Sequence, residues 1–71
     1  MTDGKLLLSL IEESGMPKTT IAARSGFSRD RLYTILDGSE CRASEIEGLA
    51  RTLKLTNAIR DKIFFAKKVV K

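Results

Sequence analysis

Apolar residues recur every three to four positions along most of the chain. No stretch alternates apolar and polar with β-branched enrichment, so the spacing predicts helices and no strands. From about Gly4 to Ser14, Leu7, Leu8, Leu10 and Ile11 share one side and Glu12 and Glu13 the other, with Gly15 suited to the C-terminal cap. Proline belongs in the first turn of a helix, so a second short helix begins near Pro17 and runs to about Ser25, with Ile21 and Ala22 facing in and Gly26 breaking it. Ser28 is a good N-cap for a third helix, Arg29–Leu36, with Leu32 and Ile35 as its inner stripe and Asp37-Gly38 as its stop. A polar loop, Ser39–Ala43, leads to a fourth helix at Ser44, where Ser44 and Glu47 have capping-box spacing and Ile46, Leu49, Ala50 and Leu53 line the inner face. Thr56 caps a fifth helix that runs toward Lys71, with Ile59, Ile63, Ala66 and Val70 in one arc. The expected architecture is all-α, one domain over residues 1–71, a compact bundle of five short helices. Its contacts are mostly local, which predicts fast folding.

Composition narrows the chemistry. The chain has 71 residues, of which 42% are apolar, enough for one small core but not for a large enclosed active site as well. There is no histidine, which removes the commonest general base and metal ligand. The single cysteine, Cys41, excludes intrachain disulfides and Cys-rich zinc sites, and in a polar loop it reads as an incidental free thiol. There are no paired carboxylates in an apolar setting and no glycine-rich phosphate loop, so an enzyme is not expected, nor is any cofactor, metal or small-molecule ligand. No signal peptide and no apolar run of membrane-spanning length is found, and the expected location is cytoplasmic.

Thirteen basic residues against nine acidic give a net charge of +4. Residues 17–38 carry Lys18, Arg24, Arg29 and Arg31 against Asp30 and Asp37, a net of +2. Residues 56–71 carry Arg60, Lys62, Lys67, Lys68 and Lys71 against Asp61, a net of +4. Such an excess fits a polyanion partner, and equally a solvated face that keeps a small protein in solution.

The most informative segment is residues 18–37, KTTIAARSGFSRDRLYTILD. A short helix, a tight turn with glycine and a second helix make a helix-turn-helix. Ala22 is small where the helices approach, Gly26 supplies the turn, Phe27 plugs the core beside it, and Leu32 and Ile35 anchor the second helix from beneath. Arg29, Asp30, Tyr33 and Thr34 are left pointing outward.

On these residues the chain resembles the phage repressor and Cro type of helix-turn-helix proteins, and so a lambda-repressor-like fold. The resemblance extends from about Leu6 to Phe65. It includes the Gly15-Met16 junction, the Ala22…Gly26-Phe27-Ser28 turn, the Leu32…Ile35 anchors, the Asp37-Gly38 stop, the Leu49-Ala50…Leu53 helix and the Thr56–Phe65 helix. Two positions depart from the family pattern: Pro17 stands where Thr or Ser usually caps the second helix, and Ser25 where an apolar residue is common.

The resemblance implies a small DNA-binding transcriptional regulator, a repressor of Cro-like or phage-switch kind. Its third helix would lie in the major groove, and a homodimer would bind an inverted-repeat operator in double-stranded DNA. By position, Arg29, Asp30, Tyr33 and Thr34 become base-reading residues, with Arg29 suited to guanine and Asp30 to a cytosine amine. Lys18, Thr19, Ser28, Arg31 and Arg42 become phosphate contacts, helped by the backbone N–H groups that open the helices. Arg29 reads otherwise as a solvated charge, Asp30 as a helix-dipole partner and Tyr33 as a packing residue.

The fifth helix predicts a further surface. At about 100° per residue, Phe64 falls nearly opposite the centre of the Ile59–Val70 arc, with Phe65 and Val69 flanking that arc. The expectation is that Phe64, with Phe65 and Val69, forms a dimer or partner contact within 57–70. The alternative is a bent last turn with Phe64 on the surface. A second functional class also fits: an antirepressor or repressor modulator that keeps this fold and binds a partner repressor protein through the same face, as the acidic residues on the nominal DNA side allow.

Overall fold

A computed structural model of the chain describes residues 2–65. Among these residues the chain folds into five helices and no strands: α1 (Gly4–Ser14), α2 (Lys18–Ser25), α3 (Arg29–Leu36), α4 (Ala43–Leu53) and α5 (Asn57–Phe64). The expected all-α, five-helix architecture is what the molecule adopts.

Each helix is bounded by local chemistry. Asp3 opens α1 by accepting the Leu6 N–H at 3.1 Å, and Gly15 closes it in the left-handed region at φ +76°. Ser28 caps α3 by accepting the Arg31 N–H at 3.1 Å, and Thr56 caps α5 by accepting the Ile59 N–H at 3.2 Å. Gly26, at φ +94°, ends α2 and donates back to the Ala22 carbonyl at 3.0 Å, the turn geometry that favours glycine.

As expected, α2 begins beside Pro17, which occupies its N-cap, with Lys18 as the first helical residue. One boundary differs from expectation. The fourth helix begins at Ala43, and the residue spacing that matters is Arg42 with Glu45: the Glu45 carboxylate accepts the Arg42 N–H at 2.8 Å. This register wins over Ser44 with Glu47 because Glu45 is buried and paired in the fold, whereas Glu47 is exposed. α5 ends at Phe64, and Phe65 leaves the helix with φ −126° and ψ 35°. The expected continuation toward Lys71, with Ala66 and Val70, lies outside the described residues.

The core gathers Leu7, Ile11, Ile21, Ala22, Leu32, Ile35, Leu49, Ile63 and Phe64 from all five helices. Burying side chains of this kind contributes about 1.5–3 kcal/mol each for the larger ones. Met16, Phe27, Leu53 and Ile59 pack around them at the margin. Two glycines set how closely helices approach. A Cβ on Gly4 would overlap the Leu36 carbonyl oxygen, and one on Gly48 the Ser25 carbonyl oxygen. α1 therefore rests on the end of α3, and α4 on the end of α2. Ser25 itself is buried, its hydroxyl donating to Thr52 Oγ1 at 3.2 Å. The polar residue thus replaces apolar packing at that position with a hydrogen bond between α2 and α4.

The N-terminal residues strap the bundle. Thr2 is buried, its hydroxyl donating to the Ser39 carbonyl at 2.7 Å, and the Asp3 N–H donates to the Ile63 carbonyl at 2.6 Å. The loop after α3 and the end of α5 are thereby tied to the start of α1. The Cys41 Sγ lies 3.8 Å from Thr2 Oγ1, and burial pushes its thiol pKa up, so this cysteine sits in the loop packing as a protonated thiol.

Candidate nucleic-acid interface

The outward face of α3 follows from its inward one. Leu32 and Ile35 are fully buried, which turns Arg29, Asp30, Tyr33 and Thr34 outward, and all four are exposed. Tyr33 is 46% exposed, a large aromatic surface for a helix this short. The Arg29 guanidinium carbon lies 6.0 Å from the centroid of the Tyr33 ring, one turn further along, at the outer reach of a cation–π contact. The Thr34 hydroxyl donates to the Asp30 carbonyl at 3.1 Å, so it is directed back along its own helix.

The expected phosphate contacts divide. Lys18 and Thr19 open α2, and among the described residues their side chains make no hydrogen bond or ion pair. The hydroxyl oxygen of Ser28 accepts the Arg31 N–H as the cap of α3. Arg42 is exposed at the N-cap of α4.

Arg31 is placed differently from the expectation of a phosphate contact. Its Nε donates to Glu45 Oε2 at 2.7 Å, and one Nη donates both to Glu45 Oε1 at 2.9 Å and to the Glu40 carbonyl at 2.9 Å. At about 100° per residue, Arg31 lies closer to the buried Ile35 than to the centre of the exposed face, so it leans toward α4. The guanidinium is committed to a clamp between α3, the 39–42 loop and α4. Hydrogen bonding from Arg31 holds the Glu45 carboxyl below the usual carboxylate range, and the Arg42 N–H adds to this, against the opposing effect of burial. The same bonds raise the Arg31 pKa further. The two-point geometry is the strong form of such a pair.

The apolar surface expected from α5 also changes. Phe64 is only 5% exposed and belongs to the core, whereas Phe65 is 56% exposed. Ile59 and Ile63 lie on the inner side of α5 as expected, but the buried arc is wider and extends through the half-buried Arg60 to Phe64. Phe64 therefore fills the monomer and is not available as a contact surface. Val69 lies outside the described residues.

Sequence reasoning missed Glu45 and Thr2 as organising residues. Glu45 had a local signal in its spacing from Arg42, but its partner Arg31 is fourteen residues away with no periodic relation to it. Thr2 had no signal at all. Among the described residues no helix is long and apolar enough to cross a membrane, and no group of three His, Cys, Asp or Glu residues is placed to hold a metal ion. Comparison of the chain with protein-family models, with curated proteins and with solved structures gave no match.

Proposed function

We propose that the protein is a sequence-specific DNA-binding transcriptional regulator that reads the major groove of double-stranded DNA with α3. The observation that carries this reading is the exposed Arg29–Asp30–Tyr33–Thr34 face on a helix anchored from beneath by Leu32 and Ile35. An α-helix with its side chains is about 10–12 Å across, which matches a major groove about 12 Å wide. Arg29 bonds guanine, Asp30 accepts from a cytosine amine, and Tyr33 and Thr34 contact neighbouring base edges. Lys18, Thr19 and Arg42 meet phosphates beside the N-termini of α2 and α4. The functional unit is a homodimer on an inverted repeat, with half-sites about 34 Å apart, and the exposed Phe65 belongs to the subunit contact.

The test is selection from a random duplex library in about 100 mM salt, where phosphate-only binding is weak and specific binding survives. Enrichment of an inverted repeat supports the reading. Binding without enrichment, losing affinity steeply with salt, counts against it.

One observation favours a second reading. Around α3, the carboxylates Asp30 and Asp37 offset two of the three cations Lys18, Arg29 and Arg42, with Arg31 already neutralised by Glu45. A face of low net charge carrying an exposed tyrosine suits a protein partner, in which case the molecule is an antirepressor that covers a repressor. A stable stoichiometric complex with such a repressor in gel filtration, with no DNA enrichment, distinguishes this outcome.

A further inference from the structure

We infer that Glu45 is a positioning residue for the reading face: it withdraws Arg31 from the phosphate backbone and uses it to hold α3 at a fixed angle to α4. The inference rests on the DNA-reading assignment above and goes one step into how that surface discriminates between sequences.

The geometry is a single carboxylate with three donors. Oε2 takes the Arg31 Nε–H at 2.7 Å, and Oε1 takes both an Arg31 Nη–H at 2.9 Å and the Arg42 N–H at 2.8 Å. The remaining reach of Arg31 goes to the Glu40 carbonyl at 2.9 Å. One buried side chain thus joins the first turn of α3, the loop that follows α3 and the first turn of α4. Arg31 is two residues from Arg29 and immediately follows Asp30, so rotation of α3 about its axis moves the base-reading residues and strains the clamp together. A planar guanidinium bonded at two points to a carboxylate resists such rotation, and a lysine ammonium at the same place does not.

The alternative role for Arg31, an ordinary phosphate contact, makes a different prediction. A phosphate contact is sequence-blind, and each one contributes about 0.9 to the slope of log affinity against log salt. Its removal weakens every duplex alike and flattens that slope. A positioning residue carries no phosphate, so its removal leaves the slope unchanged and erodes the preference among sequences.

The experiment uses the full chain and the duplex selected by the wild type, with single-base variants of that duplex. Binding of wild type, Arg31→Met, Arg31→Lys and Glu45→Gln is measured across a salt series, with circular dichroism and a thermal melt on each protein. The inference expects Arg31→Met to keep the wild-type salt slope while its discrimination per base position, on the order of tenfold for a specific site, drops to a few-fold. Arg31→Lys keeps the charge and recovers only part of the discrimination. Glu45→Gln keeps an acceptor for the Arg42 N–H, loses discrimination as Arg31→Met does, and has a slope equal to or steeper than the wild type, since Arg31 is released toward the phosphates.

Arg31→Met that binds all duplexes more weakly by one factor, with a slope lower by about one, makes Arg31 a phosphate contact and overturns the inference. If Arg31→Met does not fold, Arg31→Lys and Glu45→Gln carry the decision: wild-type discrimination in both overturns it equally. A wild type that selects no duplex refutes the DNA reading itself, a failure visible before any variant is examined.

Discussion

Gly48 of α4 and Ser25 of α2 meet through their backbones: a Cβ on Gly48 would overlap the Ser25 carbonyl oxygen, 2.9 Å from its carbon and 3.0 Å from its Cα. The obstacle is main chain on both sides, so no side chain can rotate out of the way. Ser25 is the last residue of α2, and Arg51 Nη2 donates to the neighbouring Arg24 carbonyl at 3.0 Å, so the same contact closes the end of the helix that leads into the turn before α3. Alanine has about 1 kcal/mol better helix propensity than glycine. Forcing a methyl group against backbone costs more, about 1–3 kcal/mol in a packed interior. Gly48→Ala is therefore expected to lower the melting temperature by several degrees, at about 4–8 °C per kcal/mol for a domain of this size. A melting temperature equal to or above the wild type shows that α2 and α4 separate freely and that the contact does not fix the turn.

The two adjacent phenylalanines at the end of α5 should behave in opposite ways. Phe64 is buried among core residues, and truncating a buried phenylalanine to alanine costs about 3–5 kcal/mol. That is a large part of the stability of a domain this small, so Phe64→Ala is expected to shift the urea midpoint strongly or abolish cooperative unfolding. Phe65 is exposed, and Phe65→Ser should leave the monomer's stability within about 0.5 kcal/mol. Comparable losses from the two substitutions place Phe65 in the core as well.

The helices were legible in the sequence because their ends carry local chemistry. Gly15, Gly26, Ser28 and Thr56 act within one turn of chain, and each sits where its residue type demands. The inward stripes of α1 and α3 were readable for the same reason, since one face of a helix repeats every three to four residues. Phe64 was misread because the inner stripe was drawn narrowly through Ile59 and Ile63, whereas the buried arc of α5 widens through the half-buried Arg60 and so takes in Phe64. Periodicity places Arg31 nearer the buried Ile35 than the exposed face, but its partners, Glu45 and the Glu40 carbonyl, leave no such trace, and its commitment to them was missed. The four residues of the α3 face were legible by subtraction, as whatever Leu32 and Ile35 left outside.

Acidification should separate the Arg31–Glu45 clamp from the rest of the fold. Bonding from Arg31 depresses the Glu45 pKa in the folded protein relative to the unfolded chain. The pair therefore stabilises the fold above the ordinary glutamate value of about 4.3, and this contribution is lost as pH falls through the lower folded-state value. Arg31→Met removes the main cause of the shift. The urea midpoint of the wild type should exceed that of Arg31→Met at about pH 6, with the gap narrowing steadily toward about pH 2. A gap that is constant across this range means that the pair contributes through packing of the arginine stem alone.

Arg29 and Lys18 provide the sharpest contrast within the proposed interface. Both are cations at the start of a helix, but Arg29 lies on the α3 face beside Tyr33, whereas Lys18 opens α2 away from that face. A bidentate arginine–guanine contact contributes about 1–3 kcal/mol of discrimination at one base pair, and a lysine–phosphate contact contributes none. Arg29→Ala should thus weaken binding to the selected duplex by that amount and relax preference at a single position, mirrored in the second half-site. Lys18→Ala should weaken matched and mismatched duplexes by the same factor and reduce the salt slope by about one. The two variants are compared by fluorescence anisotropy on the selected duplex and its single-base variants. If Arg29→Ala shows the uniform, salt-sensitive loss expected of Lys18→Ala, then α3 lies against the backbone instead of the base edges, and sequence preference must come from the shape of the duplex.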